Sequence, residues 1–338
     1  MNNRRQFTMS LGAGLASPFL MLHNRPAFGN VRTLQPVIEY QGHRNFVKSI
    51  KFIDGGSEFC SITDLEFAKW SVGKSGPDLR LRSNDKLFSM ALDGTTSRAF
   101  LKSSLRYPIV VDLSNGQSLQ PQFDIGNVFS VNSEQRLMFN VLRKDGRQAG
   151  VYLVLHDLDS KGAEGAYNYT PLRAIKIESP QANWLNQGGV VSSDGAFIYW
   201  LESGQAITGW MTNEERPAPQ IFGHRSFVQS MELSQDGTKL LTSASAEVSL
   251  WQTASGNQSK SYDFSSSGIR SLGSGFVQTI YGVSPDFSVA VINGGVIDIA
   301  SGKVMAQLPK PYVSYCALSN DGQIIASDNE GRIAGFTL

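Results

Sequence analysis

The chain has 338 residues, of which 41% are hydrophobic and 17% charged, and its net charge is +1. That apolar content with so few charges excludes a disordered polymer, and the near-balance of charge excludes the strong basic field that nucleic-acid binding requires. Length alone would suggest two domains, but the chain repeats itself, and the repeat decides the architecture.

Residues 1–29 read as an export signal. Asn3-Arg4-Arg5-Gln6-Phe7-Thr8 resembles the twin-arginine motif, a weakly apolar run follows from Met9 to Leu22, and Ala27-Phe28-Gly29 is a small-residue end. The run is too short and too rich in glycine to span a membrane. The alternative readings are an ordinary Sec signal or an uncleaved anchor. Cleavage near Gly29 removes Arg4, Arg5 and Arg25 and no acid, which takes the net charge from +1 to −2. The expected product is a periplasmic protein of residues 30–338.

Leu34 to Tyr40 comes next, a short strand-like segment ahead of the first repeat. Gly42-His43-Arg44-Asn45-Phe46-Val47-Lys48-Ser49 then returns 181 positions later as Gly223-His224-Arg225-Ser226-Phe227-Val228-Gln229-Ser230, and each copy reaches a tryptophan 27 residues past its histidine, at Trp70 and Trp251. An interval of 181 is four units of about 45, the length of a propeller blade. Tight turns mark the units along the chain, at Gly55-Gly56, Asp93-Gly94, Glu134-Gln135, Asp194-Gly195, Asp236-Gly237, Asp286-Phe287 and Asp321-Gly322; Asp-Gly and its relatives favour such hairpins. A second landmark, the end of each third strand, falls at Trp70, Val111, His156, Trp210, Trp251, Ile297 and Phe336. The reading is an all-β, seven-bladed β-propeller. Its last unit, ending in Arg332 to Leu338, lacks a fourth strand, and Leu34 to Tyr40 supplies it to close the ring.

The Gly-His and Trp landmarks resemble the WD-repeat (WD40) family, whose blades carry a buried network of His, Ser/Thr, Asp and Trp. The resemblance implies such a network from His43, Asp64 and Trp70 in the first unit, with Ser61 or Thr63 as the hydroxyl. In the fifth unit it implies His224 and Trp251, with Ser245 where the aspartate belongs. The aspartate after each tryptophan is replaced, by Ser71 and Gln252.

Aligned on its turn, the innermost strand carries a polar residue in every unit: Lys48, Lys86, Asn127, Gln187, Gln229, Thr279 and Ser314. These positions converge on the mouth of the central channel. Phe46, Phe227 and Tyr312 stand two residues earlier, and Arg44 and Arg225 flank them. Members of the WD-repeat family bind peptides and proteins at this mouth, and aromatics with Arg or Lys are the anchors that such interfaces use. A water-lined channel is the alternative explanation of the polar ring. Two further excursions, Arg143 to Gln148 and Ser160 to Pro171, lengthen the third unit, and Trp184 enters the fourth.

Catalysis finds little support. His23 leaves with the leader, His43 and His224 serve their own blades, and His156 sits on a third strand, so no histidine set is left for a metal. Cys60 and Cys316 form no CxxC; they read either as buried small residues or as a disulfide across the closure. Asp157-Leu158-Asp159 lacks an EF-hand frame, and no nucleophile elbow or phosphate loop occurs. The expectation is an exported binding or scaffold module without a cofactor, engaging a protein or peptide through the channel mouth. The competing expectations are a cofactor-free propeller subunit of a periplasmic oxidoreductase and a lactonase-like metal-dependent hydrolase.

Overall fold

The computed structural model describes residues 31–338 except 54–55, 94–96, 106, 120–122, 127, 133–136, 145–149, 159–170, 178–188, 202–205, 245–246, 265–278 and 313–314. The expected leader, residues 1–29, lies outside the described residues, as do Trp184 and most of the two excursions in the third unit. Among the described residues there is no α-helix, and none long and apolar enough to cross a membrane.

Seven antiparallel sheets follow one another along the chain, each beginning with an inner strand and working outward. In the first blade the strands are Ser49–Phe52, Glu58–Ile62, Glu66–Ser71 and Leu79–Arg82. The innermost strands touch their neighbours in chain order around the circle, and that of the seventh blade, Cys316–Leu318, touches that of the first. The ring is therefore closed. Each expected landmark falls on a third strand, from Trp70 in Glu66–Ser71 to Phe336 in Ile333–Thr337.

The closure follows the expected route. Ile38–Tyr40 pairs antiparallel with Ile333–Thr337, with Ile38 opposite Gly335, and becomes the outer strand of the seventh blade. One feature exceeds the expectation: Arg32–Thr33 runs parallel to Val304–Gln307 and gives the sixth blade a fifth strand. The amide of Leu34 continues that ladder to the carbonyl of Gln307 at 2.8 Å. A single stretch of chain thus ties two adjacent blades together.

The turns show why these sequences make hairpins. In Ser192-x-Asp194, Ser234-x-Asp236 and Ser284-x-Asp286 the serine hydroxyl donates to the aspartate at 2.6 Å, and the same oxygen accepts an amide from the returning strand. Ser319 and Asp321 repeat the arrangement. Short polar side chains that bond locally to the backbone favour such turns. The following residue takes positive φ in all four, as Gly195, Gly237, Phe287 and Gly322; only Phe287 does so with a side chain, which it buries.

The core is divided as the ring is. Seven clusters of buried apolar side chains occupy the seven seams between blades. Phe59, Trp70 and Ile325 fill the seam between the seventh and first blades, and Tyr199, Met231 and Trp251 that between the fourth and fifth. Each blade is a thin sheet that buries its faces only against neighbours, so the ring is stable as a whole. Cys60 and Cys316 are both buried with free thiols.

Candidate functional site

The polar networks that fix the mouth loops come first. In the first blade, Trp70 Nε1–H donates to Ser61 Oγ at 2.8 Å. An indole can only donate, so the serine O–H is left for His43 Nε2, 2.7 Å away. Nδ1–H of His43 then donates to Glu66 at 3.0 Å. Every buried polar group of this chain of bonds has a partner, and it pins the loop from Gly42 to Val47 over the blade. Glu66, not Asp64, is the acid. Asp64 lies in the turn before the third strand, half-exposed, and forms an ion pair with Lys48; the hydrogen bond from Lys48 holds its carboxyl below the usual range. Thr63 is not the hydroxyl of the network either: its oxygen accepts the amides of Leu65 and Glu66 within that turn.

The fifth blade repeats the arrangement with one difference. Trp251 Nε1–H donates to Thr242 Oγ1 at 2.8 Å, and that oxygen lies 3.2 Å from His224 Nε2. Glu247 occupies the position of Glu66, 181 residues on, but its carboxylate accepts from Ser249 and Ser261 at 2.8 and 2.9 Å, and from Gln258. The outer strand Gln258–Asp263 supplies two of these donors, Gln258 and Ser261, whereas Leu79–Arg82 in the first blade supplies none. His224 Nδ1 is consequently left without a hydrogen-bond partner. Burial depresses the pKa of both histidines, with the glutamates acting in the opposite direction. Ser245 lies outside the described residues.

At the mouth, Phe46 is 41% exposed and its ring meets Tyr315 edge-on at 5.6 Å. Lys48 donates to the carbonyl of Leu87 at 3.1 Å and places its ammonium 5.1 Å from the centre of the Phe88 ring, itself 48% exposed. A chain of aromatic rings and one cation thus crosses the seventh, first and second blades. Arg44 and Lys86 are exposed beside it. On the fifth blade Phe227 is 63% exposed, and Arg225 and Gln229 are exposed with it. Tyr312 differs: it is only 7% exposed, packs its ring against Phe336, and reaches Glu39 with its hydroxyl at 3.3 Å. It belongs to the closure of the last blade and not to the exposed face. Asn127, Gln187 and Ser314 lie outside the described residues.

Below the mouth a cavity of about 500 Å³ follows the central channel along the first, fifth, sixth and seventh blades. Lys51, Glu232, Tyr281, Gly282 and Cys316 line it. Glu232 is exposed to the bore, where the surrounding blades partly desolvate it and raise its pKa, opposed by the charge of Lys51. Burial also raises Tyr281 and pushes the Cys316 thiol far up, so that thiol is un-ionised and no nucleophile. A side chain at Gly282 would begin 2.9 Å from Cys316 Sγ and 2.6 Å from its carbonyl oxygen, so the close approach of the sixth and seventh blades requires glycine there. Among the described residues no three His, Cys, Asp or Glu side chains gather in a manner that could hold a metal.

Comparison with known proteins places the fold. No protein-family model and no curated protein sequence matches the chain. The Cps50 (Swd1) β-propeller domain of Myceliophteria thermophila matches with a TM-score of 0.62 and 11% identity, over 90% of this chain and 99% of that one. The chain is a seven-bladed β-propeller. As many as 1596 solved chains match it, and a likeness so widespread identifies architecture and not activity.

Sequence reasoning missed Glu66, Glu247, Lys51 and Glu232, yet one signal could have found all four. Glu66 with Glu247, and Lys51 with Glu232, are pairs at the same interval of 181 that separates the two histidines. Following that interval past the obvious motif exposes both the acid of the network and the charged residues of the channel.

Proposed function

We propose that this protein is an exported, non-catalytic binding module that engages a protein or peptide partner through the face at the channel mouth. The observation that carries the reading is the run of exposed rings, Tyr315, Phe46 and Phe88, joined by Lys48. Large aromatics held by their own scaffold lose little conformational freedom on binding, and with Arg and Lys they supply most interface anchors. Lys48 is already positioned by the Leu87 carbonyl and Asp64. Twin-arginine export to the periplasm belongs to this proposal and is supported by the composition of residues 1–29. The propeller fold, similar to a WD40 domain, is consistent with a protein-binding role.

The test combines Phe46→Ala with Phe227→Ala. Each aromatic is exposed, so the double variant is expected to melt like the parent while capture of a partner from the native envelope fraction is lost, on the order of tenfold per anchor. Capture by the double variant equal to that of the parent would overturn the proposal. Mass spectrometry of the same eluates, for proteins and for bound metals, separates a scaffold from a metal-dependent enzyme.

A further inference from the structure

Three residues beyond the polar ring of the mouth, the innermost strands carry Lys51, Ser89, Ser130, Val190, Glu232, Gly282 and Ala317, a second tier of which Lys51, Glu232, Gly282 and Ala317 line the cavity below the mouth. Five are small. The two long side chains are of opposite charge and come from blades whose sequences correspond residue for residue at an interval of 181. Lys51 and Glu232 both line the cavity of about 500 Å³. Neither side chain makes a hydrogen bond or an ion pair with another described residue, although Lys51 is near enough for its charge to act on the Glu232 carboxyl. The small members of the tier, with Gly282 pressed against Cys316, leave the space between them open.

Opposite charges that share a confined channel stay hydrated unless a partner replaces that water with matching charge. Here both side chains are exposed to the bore of one cavity, and neither closes on the other. Such a gap is completed by a molecule that carries both complementary charges. We propose that the channel is a binding site for a small zwitterion with a free ammonium and a free carboxylate, of the size of an amino acid or short peptide. Glu232 accepts from the ammonium, Lys51 donates to the carboxylate, and Tyr281 closes one wall. Pockets of this volume suit ligands of that class. The inference stands on the tier alone and is independent of what binds the mouth above it.

The probes are glycine, diglycine and triglycine, whose lengths measure the span between the charges, applied to the exported chain by isothermal calorimetry. One of the three is expected to bind, and its N-acetyl and C-amide derivatives to bind at least about tenfold more weakly, the loss expected when a charge-assisted hydrogen bond goes unmade. Glu232→Gln should erase the discrimination against the N-acetyl form only, and Lys51→Met the discrimination against the amide only. The exchange Lys51→Glu with Glu232→Lys keeps both charges at the tier and should restore binding, which guards against a single variant that merely misfolds. Binding by none of the three peptides, or binding indifferent to end-blocking, overturns the proposal.

Discussion

Ser61 is a single hydroxyl on which two buried groups depend. Ser61→Ala removes the acceptor of Trp70 and the donor to His43 at once, and an unsatisfied buried polar group costs about 1–3 kcal/mol. The variant is expected to lower the unfolding free energy by about 2 kcal/mol, read from denaturant midpoints; a change within about 0.5 kcal/mol would mean that the network is dispensable. The histidines predict a pH dependence as well. Burial depresses both, so the folded protein holds them neutral while the unfolded chain takes up protons near pH 6.5. Their contribution is complete above about pH 6.5, declines as the pH falls below that, and is gone once the depressed folded-state values are passed. The turn carboxylates Asp236, Asp286 and Asp321 are lowered by their serine hydrogen bonds, and their contribution is lost only in stronger acid. A urea midpoint that falls between about pH 7 and 5, then falls again below about pH 4, is the expected profile; a flat first interval would count against the histidine assignment.

At the scale of elements, the segment before the first repeat does two separable jobs. Removing residues 31–33 strips only the fifth strand from the sixth blade and is expected to lower the melting temperature by about a degree or two, since about 1 kcal/mol shifts Tm by roughly 2–4 °C in a domain of about 150–250 residues and by less in a longer one. Removing residues up to 40 also takes Tyr40, whose ring meets Phe59 at 5.0 Å and Trp70 at 5.8 Å, and leaves Ile333–Thr337 as a bare edge. That protein is expected to aggregate on mild heating, which light scattering during thermal unfolding would register; equal behaviour of the two truncations would refute the division. The job at the seventh blade was legible in the sequence, because the final unit visibly lacked a strand. The strand at the sixth blade was not, for two residues of Arg-Thr carry no period and their pairing depends on which edge the tertiary structure leaves open.

For the whole molecule, the repeat interval and the turns made the architecture readable without a family match, since both are dictated by backbone geometry that each blade must satisfy. Phe46 and Phe227 were also legible, as large apolar residues beside a marked loop. Tyr312 was not: in sequence it aligns with them, but the seam of the last blade takes it inward. Asp64 failed for a related reason, as the residue in the turn points to solvent while Glu66 on the strand points to His43. The channel tier escaped because facing charges from distant blades become neighbours only when the circle is complete. That circle has a consequence for how the protein is made. Its seam joins Ile38 to Gly335, so a strand made with the first blade waits, unpartnered, for one that lies far down the chain. Six blades can stack as they emerge, but the clasp can be fastened only once the seventh blade has been made, and until then the nascent chain carries an open edge that its surroundings have to shield.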